Sequence, residues 1–331
     1  MDPAKLKLLR ETGRREILFS IAIVPGSSRV LVGASDGKIY DFDALAEKPE
    51  FKELAGHESY VTGLVVSGNV AVSGSYDGKL IWWNLETGEQ IRKIDAHTKW
   101  IRKLAVTPDG KIVASVADDM ICRLWNVESG KLVHELKGHA LSTPSNFPSM
   151  LYSCVFSADG TKLATVDRLG KGMVWDVASG SKVGEVEAPI LYTWDPTQRI
   201  HSIGGARSVA FSPDSSLLAI GGMGKVGNID HLEGTSRVEV FAWQTQERTH
   251  ELVGEGMKGL VEQLNFSPDG KLLLALGGDS GGWLQFFDLE SKKTLKQEKS
   301  GQHWHAAVYD ADTARLFAAG HGKVAVWEMK S

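Results

Sequence analysis

The sequence predicts an all-β protein, a seven-bladed β-propeller of four-stranded antiparallel blades with its ring closed by an N-terminal strand. Three observations carry that expectation. One segment recurs along the 331 residues at a period of about 42. Each copy divides into four short apolar segments parted by Gly, Pro and Asp turns. Helical periodicity is missing from every window of that length. The recurrence is legible in Ser75–Gly88, "SYDGKLIWWNLETG", in Ala117–Gly130, "ADDMICRLWNVESG", and in Arg168–Gly180, "RLGKGMVWDVASG". One four-stranded sheet cannot bury both faces alone, whereas seven in radial repetition can, because each packs on two neighbours.

The copies are counted by an aromatic followed by a polar residue: Phe42-Asp43, Trp83-Asn84, Trp125-Asn126, Trp175-Asp176, Trp243-Gln244, Phe287-Asp288 and Trp327-Glu328. The blades therefore end near 43, 84, 126, 176, 244, 288 and 328, in a single domain over 1–331. Within a copy the first strand reads apolar-x-x-apolar-x-apolar, as in Ile101, Leu104 and Val106. The next turn is "TPDG" at Thr107, "SADG" at Ser157, "SPDS" at Ser212 and "SPDG" at Ser267. The fourth strand is weaker, with apolar residues three apart, as in Ile91 and Ile94. Only "EMKS" follows Trp327, so the last copy lacks a fourth strand. Leu6 and Leu9 repeat the three-residue spacing, which assigns residues 5–11 as the outer strand of the last blade.

At Gly56-His57 and Gly138-His139, with the Trp-Asp type of ending, the chain resembles the WD-repeat β-propeller family. The resemblance spans the whole chain and is strongest in the second and third copies. His57, Ser73, Asp77 and Trp83 match the family's tetrad, as do His97, Ser115, Asp119 and Trp125. The resemblance implies that the Trp N–H meets the Ser hydroxyl, Ser meets His, and His meets Asp. Such a set satisfies a buried indole and fixes the imidazole tautomer. Recurrence at the blade period marks it as structural rather than as a catalytic triad. The fourth copy keeps His139, Thr165 and Trp175 but has Leu169 at the Asp position.

Three segments exceed the repeat: Ala140–Pro148 by eight residues, and Pro189–Gly205 and Gly222–Ser236 by thirteen each. In an antiparallel blade these links emerge on one side, over the fourth and fifth blades. Long loops on a rigid scaffold are where binding concentrates. These carry Phe147, Tyr192, Trp194, His201, Met223 and His231, a heavy aromatic and apolar load for solvated linkers. The same side carries Tyr60, Trp100, Met150 and His303 just before inner strands, a position similar to the partner-contacting rim of the propeller in heterotrimeric G proteins. The expected partner-binding residues are Tyr60, Trp100, Met150, Trp194, His201, Met223, His231 and His303.

The expected function is a non-catalytic protein-interaction scaffold. It would bind a protein or peptide through the insertion face over blades four and five and the central opening. The alternative is a small-molecule or metal-binding propeller, or a hydrolase, using the His and Asp residues of the blade-five insertions. Asp195, His201, Asp230, His231 and the "HWH" of His303–His305 are its candidates, but no fixed ligand spacing, GxSxG elbow or phosphate loop accompanies them. No catalytic residue, metal or cofactor is therefore assigned. With 37 Lys and Arg against 41 Asp and Glu, the net charge of −4 disfavours general nucleic-acid binding. No apolar run approaches the roughly 18 residues of a membrane span, and "MDPAKLKLLRETG" has no apolar signal core. Cys122 and Cys154 lie in apolar strand patterns and read as buried reduced thiols. The expectation is a cytoplasmic, monomeric propeller without membrane contact.

Overall fold

The computed structural model describes residues 1–197, 201–227 and 233–330. Apart from two 3-10 turns, Pro3–Lys5 and Pro189–Leu191, every regular element among them is a β-strand. No helix among the described residues is long and apolar enough to cross a membrane. The strands form antiparallel sheets, mostly of four strands in sequence order, which is the blade of a β-propeller. The chain divides into two compact units. The first comprises 1–119, 123–135 and 304–331; the second comprises 120–122 and 136–303.

In the first unit, one sheet orders Val61–Ser67, Val70–Ser75, Lys79–Asn84 and Gln90–Asp95; the next sheet, which belongs to this unit except for Ile121, Cys122, Leu136 and Lys137, orders Ile101–Val106, Ile112–Ala117, Ile121–Asn126 and Leu132–Lys137. Period-two alternation drives the packing. Val72, Leu80 and Trp82 face the Ile101–Lys137 sheet, where they meet Leu104, Val113 and Trp125. The alternate residues Ala71, Ile81 and Trp83 face the other way, onto Leu31, Ile39 and Leu54. Adjacent tryptophans thus serve two different cores, and both are essentially inaccessible to water.

The third sheet of this unit corrects the expected count. Among the described residues the sheets number six rather than seven, because one of them has six strands: Trp304–Asp310, Arg315–Glu328, Lys7–Ile23, Arg29–Ala34, Lys38–Asp43 and Lys52–Ala55. The physical reason is continuity of one strand. Lys7–Ile23 is 17 residues long and pairs along both halves. Lys7 to Gly13 lie opposite Glu328 to Lys323, and Leu18 to Ile23 lie opposite Ala34 to Val30. The first and last copies are therefore hydrogen-bonded into one sheet. A Lys323–Glu11 ion pair at 2.6 Å crosses the N-terminal pairing, and Leu9 packs against the core beside it.

In the second unit, Leu151–Phe156, Lys162–Asp167, Lys171–Asp176 and Lys182–Glu187 form one sheet, and Leu260–Phe266, Leu272–Gly278, Gly282–Asp288 and Lys293–Ser300 form another. Between them in sequence lies a five-stranded sheet of Tyr192–Trp194, Ser202–Phe211, Leu217–Met223, Thr235–Ala242 and Glu247–Lys258. Its two faces supply Ile220 and Phe241 to one core and Ala219 and Val240 to the other. Cys122 and Cys154 are both buried and free.

Candidate functional site

The hydrogen-bonded tetrads are fully formed. In the second copy, Trp83 Nε1–H donates to Ser73 Oγ at 2.8 Å, Ser73 Oγ meets His57 Nε2 at 2.8 Å, and His57 Nδ1 meets Asp77 Oδ2 at 3.0 Å. A carboxylate only accepts, so Nδ1 carries the proton and the serine hydroxyl donates to Nε2. In the third copy the same chain runs Trp125, Ser115, His97 and Asp119, at 2.9, 2.7 and 3.0 Å. Burial alone would raise the Asp77 carboxyl, but hydrogen bonds from His57 and the Glu58 amide outweigh it and hold it at about 2. Asp119 is likewise held at about 2, against the pull of burial, by His97 and the Arg123 guanidinium. Burial lowers the His97 imidazole, and the same Arg123 adds to that.

The fourth copy also has a tetrad, contrary to the expectation that Leu169 vacates it. Asp167 Oδ2 lies 2.8 Å from His139 Nδ1, Thr165 Oγ1 lies 2.8 Å from His139 Nε2, and Trp175 Nε1–H donates to Thr165 at 2.9 Å. The carboxylate comes from two residues after the hydroxyl rather than four. A search for the nearest acidic residue, instead of a fixed offset, would have found it.

In the first unit, rings of successive copies make a run at the strand ends. Phe19 and Tyr60 stack with centroids 5.2 Å apart, Tyr60 and Tyr76 lie 5.5 Å apart, and Tyr76 and Trp100 are parallel within 3° at 4.5 Å. Arg102 lies against Tyr76 and Trp100 and is held by both carboxylate oxygens of Asp118 at 2.8 and 2.7 Å. Tyr60 is 43% and Trp100 50% exposed, so this surface has apolar rings in contact with water.

In the second unit the three insertions meet. In the second insertion Pro189–Leu191 form a 3-10 turn, and Tyr192, Thr193 and Trp194 then lie antiparallel opposite Gly204, Ile203 and Ser202. Phe147 of the first insertion lies 4.9 Å from Trp194 and 5.9 Å from His201, ring to ring. The Val226 amide of the third insertion donates to Thr193 Oγ1 at 3.1 Å. Beside this junction opens a cavity of about 500 Å³. Pro144, Leu169, Pro189, Tyr192 and Trp194 give it apolar walls. Lys171 and Glu187 also line it, paired at 3.3 Å. Leu141 is 70% exposed nearby in sequence, on the first insertion. Asp195, a candidate ligand, is occupied locally: Thr197 donates to its Oδ1 from both side chain and backbone, which lowers its carboxyl.

Residues 48–84 and 88–126 match the family model described as WD domain, G-beta repeat. Those two segments are WD repeats. Among the relatives of this WD-repeat protein, nuclear distribution protein PAC1-2 of Uncinocarpus reesii is 28% identical over 195 residues, covering 53% of this chain and 40% of that protein. A p21-activated protein kinase-interacting protein 1-like of Gallus gallus is 30% identical over 148 residues, 44% of this chain and 37% of the relative. Apoptotic protease-activating factor 1 of Rattus norvegicus is 29% identical over 211 residues, 63% of this chain and 16% of that protein. The chain thus spans well under half the length of each.

The structure separates the expected partner-binding residues of the WD-repeat protein. Tyr60 and Trp100 are exposed, while Met150, Trp194 and His201 are half-buried. Met223 is not a surface residue: it is fully buried with Ile203, Val226 and Leu260, because the start of the third insertion turns Met223 and Val226 inward. His303 is also buried, its Nδ1 3.1 Å from the Asp279 carbonyl. Burial disfavours its charged form, but Glu262 and that carbonyl outweigh burial and raise it. Asp230 and His231 lie outside the described residues.

Proposed function

We propose that this chain is a non-catalytic protein-interaction scaffold that seats a protein or peptide segment on the insertion loops of its second unit. The cavity lined by Pro144, Leu169, Pro189, Tyr192 and Trp194 carries the reading. Its walls are stiff: two prolines, two aromatics and a leucine lose little conformational freedom when a partner arrives. Rigid aromatic anchors in a desolvated pocket are where binding energy concentrates. A p21-activated protein kinase-interacting protein and a protease-activating factor, by their names, work through other proteins, which supports the same reading for this chain.

The test is quantitative co-purification from cell extract with Trp194→Ala beside the parent. Removing a pocket anchor costs about 2 kcal/mol of binding or more, so partners should be depleted at least tenfold while the melting temperature stays close to the parent's. Equal recovery of every partner by a folded Trp194→Ala protein would end this reading.

A further inference from the structure

The second unit contains four described arginines, and they divide into two kinds. Arg237 and Arg248 sit on Glu239 at 2.6 and 2.9 Å. Arg168 and Arg207 have no carboxylate within ion-pair distance among the described residues, although both are half-buried. A guanidinium drawn partly out of water without an anion is costly unless something else receives it. Here tyrosines and carbonyls do so. The Arg207 guanidinium lies 3.7 Å from the ring centre of Tyr152 and donates to the Ala206 carbonyl at 3.2 Å. The Arg168 guanidinium lies 5.8 Å from the ring centre of Tyr192 and donates to the Ser202 carbonyl at 3.0 Å, and its buried Nε–H has no acceptor. Both are therefore oriented, and both retain N–H groups for an incoming anion.

Their placement ties them together and to the cavity. The Arg168 amide donates to the Met150 carbonyl at the end of the Leu151–Phe156 strand, which carries Tyr152. A Cβ built on Gly205, two residues before Arg207, would sit 3.0 Å from Arg168 Cγ. Tyr192, against which Arg168 rests, is a wall of the cavity, as is Leu169, the next residue in the chain. Lys171, the cation inside the cavity, is already neutralised by Glu187 and Glu185, so Arg168, against the Tyr192 wall, is the cation without a carboxylate partner nearest to it, with Arg207 on the neighbouring strand.

We infer that the segment accepted by this site is an acidic peptide in which an aromatic or aliphatic side chain fills the cavity while a neighbouring Asp or Glu carboxylate bridges Arg168 and Arg207. The inference rests on the scaffold reading above and specifies its partner. Charge complementarity selects the occupant: a basic or neutral segment would leave both guanidiniums without an anion on desolvation.

The test is selection of random twelve-residue displayed peptides on the full chain, with binding of the enriched peptides then measured on Trp194→Ala, Arg168→Lys, Arg207→Gln and Arg207→Glu, each checked by thermal melting. The expected peptides place Asp or Glu within a few residues of Trp, Phe or Leu. They should weaken roughly tenfold on Arg207→Gln and on Arg168→Lys, which keeps the charge but loses the planar fork. Changing the peptide's acid to Lys should restore binding to Arg207→Glu. Neutral or basic peptides that depend on Trp194 but not on the arginines would overturn this inference and leave the pocket reading standing. Failure to enrich any peptide dependent on Trp194 would overturn both. Binding of a labelled single-stranded RNA in place of acidic peptides, lost in the same arginine variants, would also overturn it.

Discussion

Asp77 and Asp119 are shielded carboxylates, about 5% and 8% exposed, that nonetheless stay ionised. Their hydrogen bonds do more than offset burial, and the cost of removing them follows. Asp77→Ala or Asp119→Ala strands an imidazole N–H without its acceptor and should destabilise the fold by about 1–3 kcal/mol. Asp167→Ala should cost a similar amount, because Asp167 makes the same bond to His139. Chemical denaturation of the three variants measures this, and three unchanged midpoints would remove the tetrads as a source of stability. The sign of the pH dependence follows from the same groups. Asp77 and Asp119 are depressed to about 2, so their contribution is whole above about pH 4 and fades as pH falls toward 2. His97 is lowered by burial, so below roughly pH 6.5 the unfolded chain binds a proton that the folded chain resists. Each of these effects weakens the fold on acidification. His303, which is raised, opposes His97 near neutrality, so the clear fall in melting temperature should come below about pH 4 as Asp77 and Asp119 protonate, and a flat profile there would contradict the assignment.

At the scale of the element, the turn after each inner strand shows what a short motif determines. In "TPDG", Thr107 Oγ1 donates to Asp109 Oδ1 at 2.7 Å, that carboxylate accepts the Lys111 amide at 3.1 Å, and Gly110 takes φ 71°. "SPDS" keeps the side-chain bonds, with Ser212 on Asp214 at 2.6 Å, but puts Ser215 at φ 59° where Gly belongs. A side chain in the left-handed region costs roughly 1 kcal/mol. The Trp243 indole donates to the Ser215 carbonyl, which a glycine retains. Ser215→Gly should therefore raise stability by about 1 kcal/mol, and a lower melting temperature would show that the serine side chain serves another purpose. Turns and strands of this kind are legible because their determinants are local. The insertions are only half legible. Their lengths and their aromatic load are in the sequence, but whether Met223 points outward or into a core depends on Ile203 and Leu260, which are distant in the chain. The cavity is less legible still, since Pro144, Leu169 and Trp194 come from three separate segments. Arg168 and Arg207 carry no local signal, because a missing carboxylate is visible only once the neighbours are in place.

Across the whole chain, the joining of its two ends is the feature with the largest predicted consequence. Residues 7–13 lie antiparallel on the last strand, from Lys7 opposite Glu328 to Gly13 opposite Lys323. The three-residue spacing of Leu6 and Leu9 suggests this pairing, but nothing in that spacing hints that the strand continues unbroken to Ile23 and merges two copies into one sheet. Continuity makes the pairing cooperative: the residues that pair with Lys323–Glu328 are the same strand that pairs with Arg29–Ala34. Removing Met1–Gly13 would strip Lys323–Glu328 of its ladder on one side, take Leu9 from the core that holds Val324 and Val326, and delete the Lys323–Glu11 pair. An uncovered, apolar edge strand is a template for pairing with another chain. The truncated protein should melt at least several degrees lower and elute from size exclusion as self-associated species. A monomeric truncation with the parent's melting temperature would mean that the N-terminal pairing is dispensable and that the remaining strands hold the sheet unaided.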